Sequence, residues 1–212
     1  MTTTTQPEVY VVDDDDSVRK SLSRLIRSAG YRVKTFASAL EFLASPDPEV
    51  PACLVLDVKM PGINGLELQE TVNSLENHVI PIIFITGHGD IPMSVKAIKA
   101  GAMDFLTKPF NDDKLLSAIS AALKKDVKNR EELARAKTIK EKLGTLTPRE
   151  FEVFKLVVTG MLNKQIAAKL GIVEKTVKVH RGRVMQKMQA ASLAELVRFA
   201  HEAGIKSPVP AI

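Results

Sequence analysis

The feature that most constrains this chain is an alternation. Five short strand-like runs, Glu8 to Val12, Arg32 to Phe36, Ala52 to Leu56, Pro81 to Ile85 and Asp104 to Leu106, are separated by stretches with helical periodicity. In "SVRKSLSRLIRSAG", for example, Val18, Leu22, Leu25, Ile26 and Ala29 recur at helical spacing until Gly30 closes the segment. Strands that alternate with helices pair in parallel, because a parallel neighbour needs a crossover long enough to hold a helix. The spacing predicts a small doubly wound α/β domain. In such open sheets ligands gather beyond the carboxyl ends of the strands, so the residue after each run carries the information.

Those residues are chemically coherent. Asp13 and Asp14 follow the first run in "VVDDDD", Asp57 follows "CLVL", Thr86 follows "IIFI" and Lys108 follows "DFLT". Three carboxylates, a hydroxyl and an ammonium then converge at one edge. Adjacent aspartates repel one another, and a hard divalent cation, Mg2+ or Mn2+, offsets that cost while keeping waters that a phosphoryl group can replace. Asp15 and Asp16 precede a helix, where carboxylates cap free amides and suit the dipole. A solvated acidic turn is the plain alternative for "DDDD" alone; Asp57, Thr86 and Lys108 weigh against it.

Charge is distributed unevenly. Residues 1–123 hold 11 Lys and Arg against 16 Asp and Glu, whereas residues 124–212 hold 19 against 9. An acidic half joined to a basic one fits a second domain that binds a polyanion. No run of about 18 uninterrupted apolar residues suggests a membrane span. "MTTTTQPEVY" lacks the regions of a signal peptide, and the single Cys53 sits among apolar neighbours. The expectation is a cytoplasmic protein without membrane contact.

Between Asn111 and Gly144 there is neither Gly nor Pro, which predicts a long helix. Its apolar stripe is firm through Leu115, Leu116, Ile119, Leu123 and Val127 and sparse through Leu133, Ile139 and Leu143; the later part reads equally as a short coiled coil or a solvated charged helix. Next, "TLTPREFEVFKLVVTG" begins a helix with Thr147 as cap, Pro148 in the first turn and Glu150 completing a capping box, with Phe151, Phe154, Leu156 and Val157 inward. "NKQIAAKLGI" is a second helix closed by Gly171, "EKTVKVHRGRVMQKM" a third and strongly basic one, and "SLAELVRFAHEAGI" a fourth capped by Ser192. Two short helices around a Gly turn predict helix-turn-helix.

On the third helix, Val177, Val184 and Met188 share the inward face, leaving Lys175, Lys178, Val179 and Gly182 toward a DNA groove. Lys178 suits guanine edges and Val179 a thymine methyl. Lys164, Thr176, His180, Arg181 and Arg183 suit phosphates, which set register without reading sequence. Val173 precedes this helix where a hydroxyl cap is usual. Gly182 costs about 1 kcal/mol relative to alanine; relaxed specificity and close backbone approach are both open readings of it. His78, His88 and His201 show no metal-ligand spacing.

Together "VVDDDDSVRKSL", "LVLDVKMPGINGLEL" and "PIIFITGHGDIPMSVKAIKAGAMDFLTKPF" resemble the receiver domain of bacterial two-component response regulators. "LTPREFEVF", "NKQIAAKLGI" and "TVKVHRGRVMQKM" resemble the LuxR-type DNA-binding domain, so the whole chain is similar to FixJ-type or NarL-type regulators, in motif wording to the FixJ and StyR branch. The resemblance implies a flavodoxin-like receiver over residues 7–123 with sheet order 2-1-3-4-5, a helical linker over 124–144, a four-helix DNA-binding domain over 145–203 and a disordered tail over 204–212. It implies phosphorylation at Asp57, Mg2+ held by Asp13, Asp14, Asp57 and the Lys59 carbonyl, and contacts from Thr86 and Lys108 to the phosphoryl oxygens. A cis Lys108-Pro109 bond and a Phe105 that turns inward are further implications, with Ile91 to Ala100, Asp104 to Leu106 and Asp112 to Leu123 as the responsive surface. The implied partners are a cognate histidine kinase, double-stranded promoter DNA with two half-sites and a second copy of the chain, with RNA polymerase a further candidate. Enzymatic activity is then limited to the chain's own phosphorylation and slow dephosphorylation. Two alternatives stand beside this: an aspartate-based phosphohydrolase of the haloacid-dehalogenase type, against which Lys59 stands where a second aspartate belongs, and a receiver that is a phosphate-independent dimerisation module.

Overall fold

The computed structural model describes residues 6–45, 49–74, 80–87 and 91–205. The strand-like runs form one sheet. Strands β1 (Glu8–Val12), β2 (Arg32–Phe36), β3 (Ala52–Asp57), β4 (Ile82–Thr86) and β5 (Asp104–Thr107) are all parallel, in the order β2-β1-β3-β4-β5. They alternate with α1 (Asp16–Ser28), α2 (Ala39–Leu43), α3 (Gly65–Ser74), α4 (Ile91–Lys99) and α5 (Asp112–Gly144).

β1, β3 and β4 are buried along their whole length, because helices cover both faces; that is why they read as continuous apolar runs. Tyr10, Leu54, Leu56 and Phe84 pack on one face with Phe42 of α2, Leu68 of α3 and Ala97 of α4. Val9, Val11, Val55 and Ile83 pack on the other with Leu22 and Ile26 of α1 and Leu115 and Ile119 of α5. The order reverses between β1 and β3, which opens a crevice beyond their carboxyl ends. Three strand ends lie one residue later than the sequence reading, at Asp57, Thr86 and Thr107. Asp57 and Thr86 are the last residues of β3 and β4 rather than the first beyond them, since the ladder continues through Asp57 beside Ile85 and Thr86 beside Thr107.

Helix α5 is unbroken from Asp112 to Gly144, while the compact units of the chain divide between Arg130 and Glu131. In the first unit the helix stays fastened past residue 123. The fully buried Asp126 accepts the Ala52 N–H at the start of β3 at 2.9 Å and pairs with Arg130 Nε at 2.7 Å. In the second unit, Ile139 and Leu143 of the same helix pack into the core, so for them neither a coiled-coil seam nor a solvated face describes the stripe. The sequence showed the stripe but not its partner.

The second unit continues with α6 (Pro148–Val157), α7 (Asn163–Leu170), α8 (Glu174–Met188) and α9 (Leu193–Glu202). Thr147 and Glu150 form the capping box: Thr147 Oγ1 accepts the Glu150 N–H at 3.3 Å, and the Glu150 carboxylate accepts the Thr147 N–H at 2.9 Å. Gly171 turns α7 into α8 with φ of 64°, a conformation that favours glycine. Ser192 caps α9, whereas Val173 gives α8 no side-chain bond. Phe154, Ile166, Val177, Val184, Met188 and Leu196 form the core. On α6, Val153 is buried together with Phe154, Leu156 and Val157, whereas Phe151, read as inward, is only half-buried, its ring 6.1 Å from that of Phe154 and with Lys155 5.1 Å from its ring centre.

The end of the chain departs from the expected disordered tail at its first two positions. The Ile205 N–H donates to the Ala200 carbonyl at 2.9 Å and its side chain packs on the core, while 206–212, like His78 and His88, lie outside the described residues. Among the described residues no helix is long and apolar enough to cross a membrane.

Candidate functional site

Four strand ends build the first site. Asp13 follows β1, Asp57 ends β3, Thr86 ends β4 and Lys108 follows β5, and the first three are buried. Lys108 Nζ lies between two carboxylates, 2.7 Å from Asp13 Oδ2 and 2.8 Å from Asp57 Oδ1. The Lys59 N–H donates to Asp57 Oδ2 at 2.7 Å, and the Lys108 N–H donates to the Thr86 carbonyl at 2.7 Å, which ties β5 to β4 just before the cis Lys108-Pro109 bond. Asp14 is exposed and lines an open pocket of about 530 Å³ with Lys59, Asn64 and Met93. Phe105 is half-buried, its ring 6.1 Å from that of Phe84.

The electrostatics follow from burial. Loss of water pushes the Asp57 carboxyl above its ordinary range; the Lys108 hydrogen bond and charge pull it back without cancelling the rise, and neighbouring Asp13 adds to it. For Lys108 burial works downward, but its bonds to Asp13 and Asp57 outweigh it and hold the ammonium charged. Among the described residues no three acidic, imidazole or thiol groups already ring one metal position; the cation between Asp13 and Asp57 is Lys108 Nζ. The donor set is nonetheless all hard oxygen: the carboxylates of Asp13, Asp14 and Asp57 and the carbonyl of Lys59, which suits Mg2+.

The second site is the exposed side of α8 with the start of α7. Val177, Val184 and Met188 are fully buried and fix the rotation of α8. Lys175, Lys178, Val179, Gly182 and Arg183 are consequently exposed, as is Lys164 on α7, while Thr176, His180 and Arg181 are half-buried. Arg181 donates to Asn163 Oδ1 at 3.1 Å, tying α8 to the first residue of α7. Lys178 meets Glu174 only at 3.7 Å and keeps its ammonium available. A Cβ built on Gly182 meets nothing within 4 Å, so no intramolecular crowding requires glycine there.

Comparison with known proteins matches a family to each unit. Residues 9–120 match the response regulator receiver domain, and residues 144–200 match the bacterial regulatory proteins of the luxR family. The chain is a FixJ/NarL-type response regulator. It is 53% identical over 203 residues to Nodulation protein W of Bradyrhizobium diazoefficiens, covering 96% of this chain and 89% of that one. It is 46% identical over 198 residues to Transcriptional regulatory protein FixJ of Azorhizobium caulinodans, covering 93% of each. The solved structure of the response regulator StyR superposes with a TM-score of 0.79 at 48% identity, covering 93% of this chain and all of the other. Receiver domains of this family generally bind Mg2+ in the acidic pocket, and FixJ and StyR are named as regulators, which leaves the phosphohydrolase reading without support.

Three residues of this response regulator's sites escaped the sequence reading. Gly65 begins α3 against the end of β3: a Cβ there would stand 2.3 Å from the Asp57 carbonyl oxygen, so the helix seats on β3 only with glycine. Arg19 donates to the Asp13 carbonyl at 2.7 Å. Lys187 of α8 bonds Glu150 at 2.6 Å and the Thr145 carbonyl at 2.9 Å, locking the basic helix to the start of α6. A basic residue a turn beyond four aspartates was a legible hint for Arg19; the other two depend on contacts that spacing does not encode.

Proposed function

We propose that a partner histidine kinase phosphorylates Asp57 and that the phosphorylated chain pairs with a second copy and binds double-stranded promoter DNA at two half-sites. The observation that carries this reading is the Asp57 carboxylate at the carboxyl end of the central strand, held by Lys108 Nζ and the Lys59 N–H beside Asp13, in one chain with an exposed basic helix. An Asp57 oxygen attacks phosphorus in line, the phosphorus–nitrogen bond of the donor phosphohistidine breaks, and the leaving imidazole takes up a proton. Lys108 neutralises charge on the transferred group, and Thr86 supplies a hydroxyl to one of its oxygens. The carboxylates of Asp13, Asp14 and Asp57 and the Lys59 carbonyl would hold Mg2+, which would supply the remaining charge neutralisation.

Output follows from a two-state surface. Ile91, Val95 and Ile98 of α4 are exposed, and Phe105 on β5 lies half-buried beside them in sequence order, so a shift of Thr86 and Phe105 toward the phosphoryl group reshapes a face able to take a second copy. Lys178 and Val179 then read bases, while Lys164, Lys175, Thr176, His180, Arg181 and Arg183 set register on phosphates, with Gly182 on the same face. RNA polymerase is a further partner for the DNA-bound form. The test is intact mass after incubation with acetyl phosphate, with and without Mg2+, on wild type and Asp57→Asn. One Mg2+-dependent phosphoryl group on the wild type and none on the variant is the expected result; dimerisation and DNA binding that persist in Asp57→Asn with phosphodonor present would make the receiver a phosphate-independent module instead.

A further inference from the structure

We infer that Arg19 is a positioning residue for cation binding by the acidic turn, a reading that rests on the Mg2+ site proposed above. Asp13–Asp16 place four carboxylates in a row, and three are engaged. Asp13 is taken by Lys108 at 2.7 Å, Asp15 caps α1 by accepting the Ser17 N–H at 2.8 Å, and Asp16 pairs with Lys20 at 2.6 Å. Among the described residues no hydrogen bond or ion pair engages the exposed Asp14 carboxylate, which is left facing the pocket beside Lys59.

What holds Asp14 is its backbone. The peptide before it is fixed by its carbonyl: Arg19 Nη1 donates to the Asp13 oxygen at 2.7 Å. The peptide after it is fixed by its amide: the Asp15 N–H donates to Asp13 Oδ1 at 2.9 Å. Both dihedrals of Asp14 are therefore pinned while its side chain stays open, which is a preorganised ligand. Arg19 also reaches Asp16 Oδ1 at 3.2 Å through its other terminal nitrogen, so one guanidinium spans the turn from beginning to end. The Arg19 side chain is 15% exposed against 67% for Lys20, which bonds only the outer carboxylate of Asp16. The planar fork makes the two contacts from two separate nitrogens, whereas lysine offers a single nitrogen.

Charge alone predicts the opposite effect. A cation so near the pocket repels Mg2+, so its removal would tighten binding if Arg19 acted only through the field. The clamp predicts weaker binding, because the turn must then be ordered by the metal itself. Calorimetric titration of Mg2+ into the unphosphorylated full chain separates the two, with wild type, Arg19→Ala, Arg19→Lys and Lys20→Ala, which removes one charge from the same helix turn without touching the Asp13 carbonyl. The expected result is a Kd about tenfold higher for Arg19→Ala, equal to about 1.4 kcal/mol, a smaller rise for Arg19→Lys and none for Lys20→Ala. Amide exchange without metal gives a second arm: Arg19→Ala should speed exchange of the Asp15 N–H while the strand amides of β1 and β3 stay protected, which also shows the variant folded. Unchanged or tighter Mg2+ binding by Arg19→Ala overturns the proposal and leaves the metal site standing. Absence of Mg2+ binding by wild type overturns both.

Discussion

The two halves of the molecule use charge in opposite ways. In the first, two of the carboxylates assigned to chemistry are buried: Asp13 and Asp57 are 1% and 6% exposed, and their mutual repulsion is managed by Lys108 between them, while Asp14 is exposed. In the second, the cations assigned to DNA are mostly on the surface, and the one carboxylate buried there among the described residues, Glu150, is architectural, joining α6 to α8 through Lys187. Phosphoryl transfer needs charges fixed around a reacting atom, so the fold accepts the cost of burying them. Phosphate recognition along a duplex needs charges that water releases easily, so they sit on a helix whose other face is the core. Buried charge is thus proposed to serve chemistry at Asp13 and Asp57, whereas at Asp126 in the same unit and at Glu150 in the other it serves architecture.

The largest predicted effect tests whether the halves are separable in stability. Phe154 is fully buried at the centre of the second core, and Phe154→Ala should cost about 3–5 kcal/mol there. Amide exchange in the full chain should show α6–α8 deprotected and the β1, β3 and β4 amides unchanged, with Asp57 still accepting phosphoryl from acetyl phosphate. Loss of protection in both units would show that they fold as one. Next comes Gly65→Ala. Its methyl must displace backbone at the Asp57 carbonyl, an overpacking cost of about 1–3 kcal/mol, and phosphorylation should slow because the acceptor strand's end moves. An unchanged phosphorylation rate would detach α3 seating from the chemistry.

How much of this was readable in advance follows the same division. The central strands announced themselves because burial on both faces leaves mainly apolar residues, and the candidate site because each member ends or follows a strand. Thr147, Gly171 and Ser192 were legible as caps because capping is local chemistry. Ile139 was visible as an apolar position but not its partners, and nothing in the sequence singles out Asp126, although it closes the start of β3, 74 residues away in sequence. Local chemistry is encoded in spacing. Contacts across the chain are not.

On the DNA-binding face, two lysines should differ in kind. Lys178→Ala is expected to lose about 1–3 kcal/mol on the best duplex and to relax preference at one base position. Lys164→Ala should weaken all duplexes nearly alike and lower the salt slope by about one counterion. Competition binding with duplexes enriched from a random pool on the wild-type protein, repeated across salt concentrations, checks both. Equal loss on every duplex for Lys178→Ala would move Lys178 into the phosphate-contacting group.

The smallest effect isolates the architectural carboxylate. The Lys187 hydrogen bond, with the Thr147 N–H assisting, holds the Glu150 carboxyl down at about 2 from its ordinary value of 4.5. Because the folded value is depressed, the stabilisation is fully present above the ordinary value. As pH falls below about 4.5 the unfolded chain takes up the proton first, and the contribution shrinks until it is gone near the folded value. Glu150→Gln removes this dependence. In the full chain, amide exchange of α6 and α8 measured between pH 3 and 6 should show a wild-type loss of protection toward acid, corrected for intrinsic exchange, that is shallower in Glu150→Gln, while α1 and α3 respond alike in both proteins. Equal acid sensitivity of α6 and α8 in the two proteins would mean that Lys187 and Glu150 do not act as a charged pair, and the contrast between buried charge for chemistry and buried charge for architecture would lose its second member.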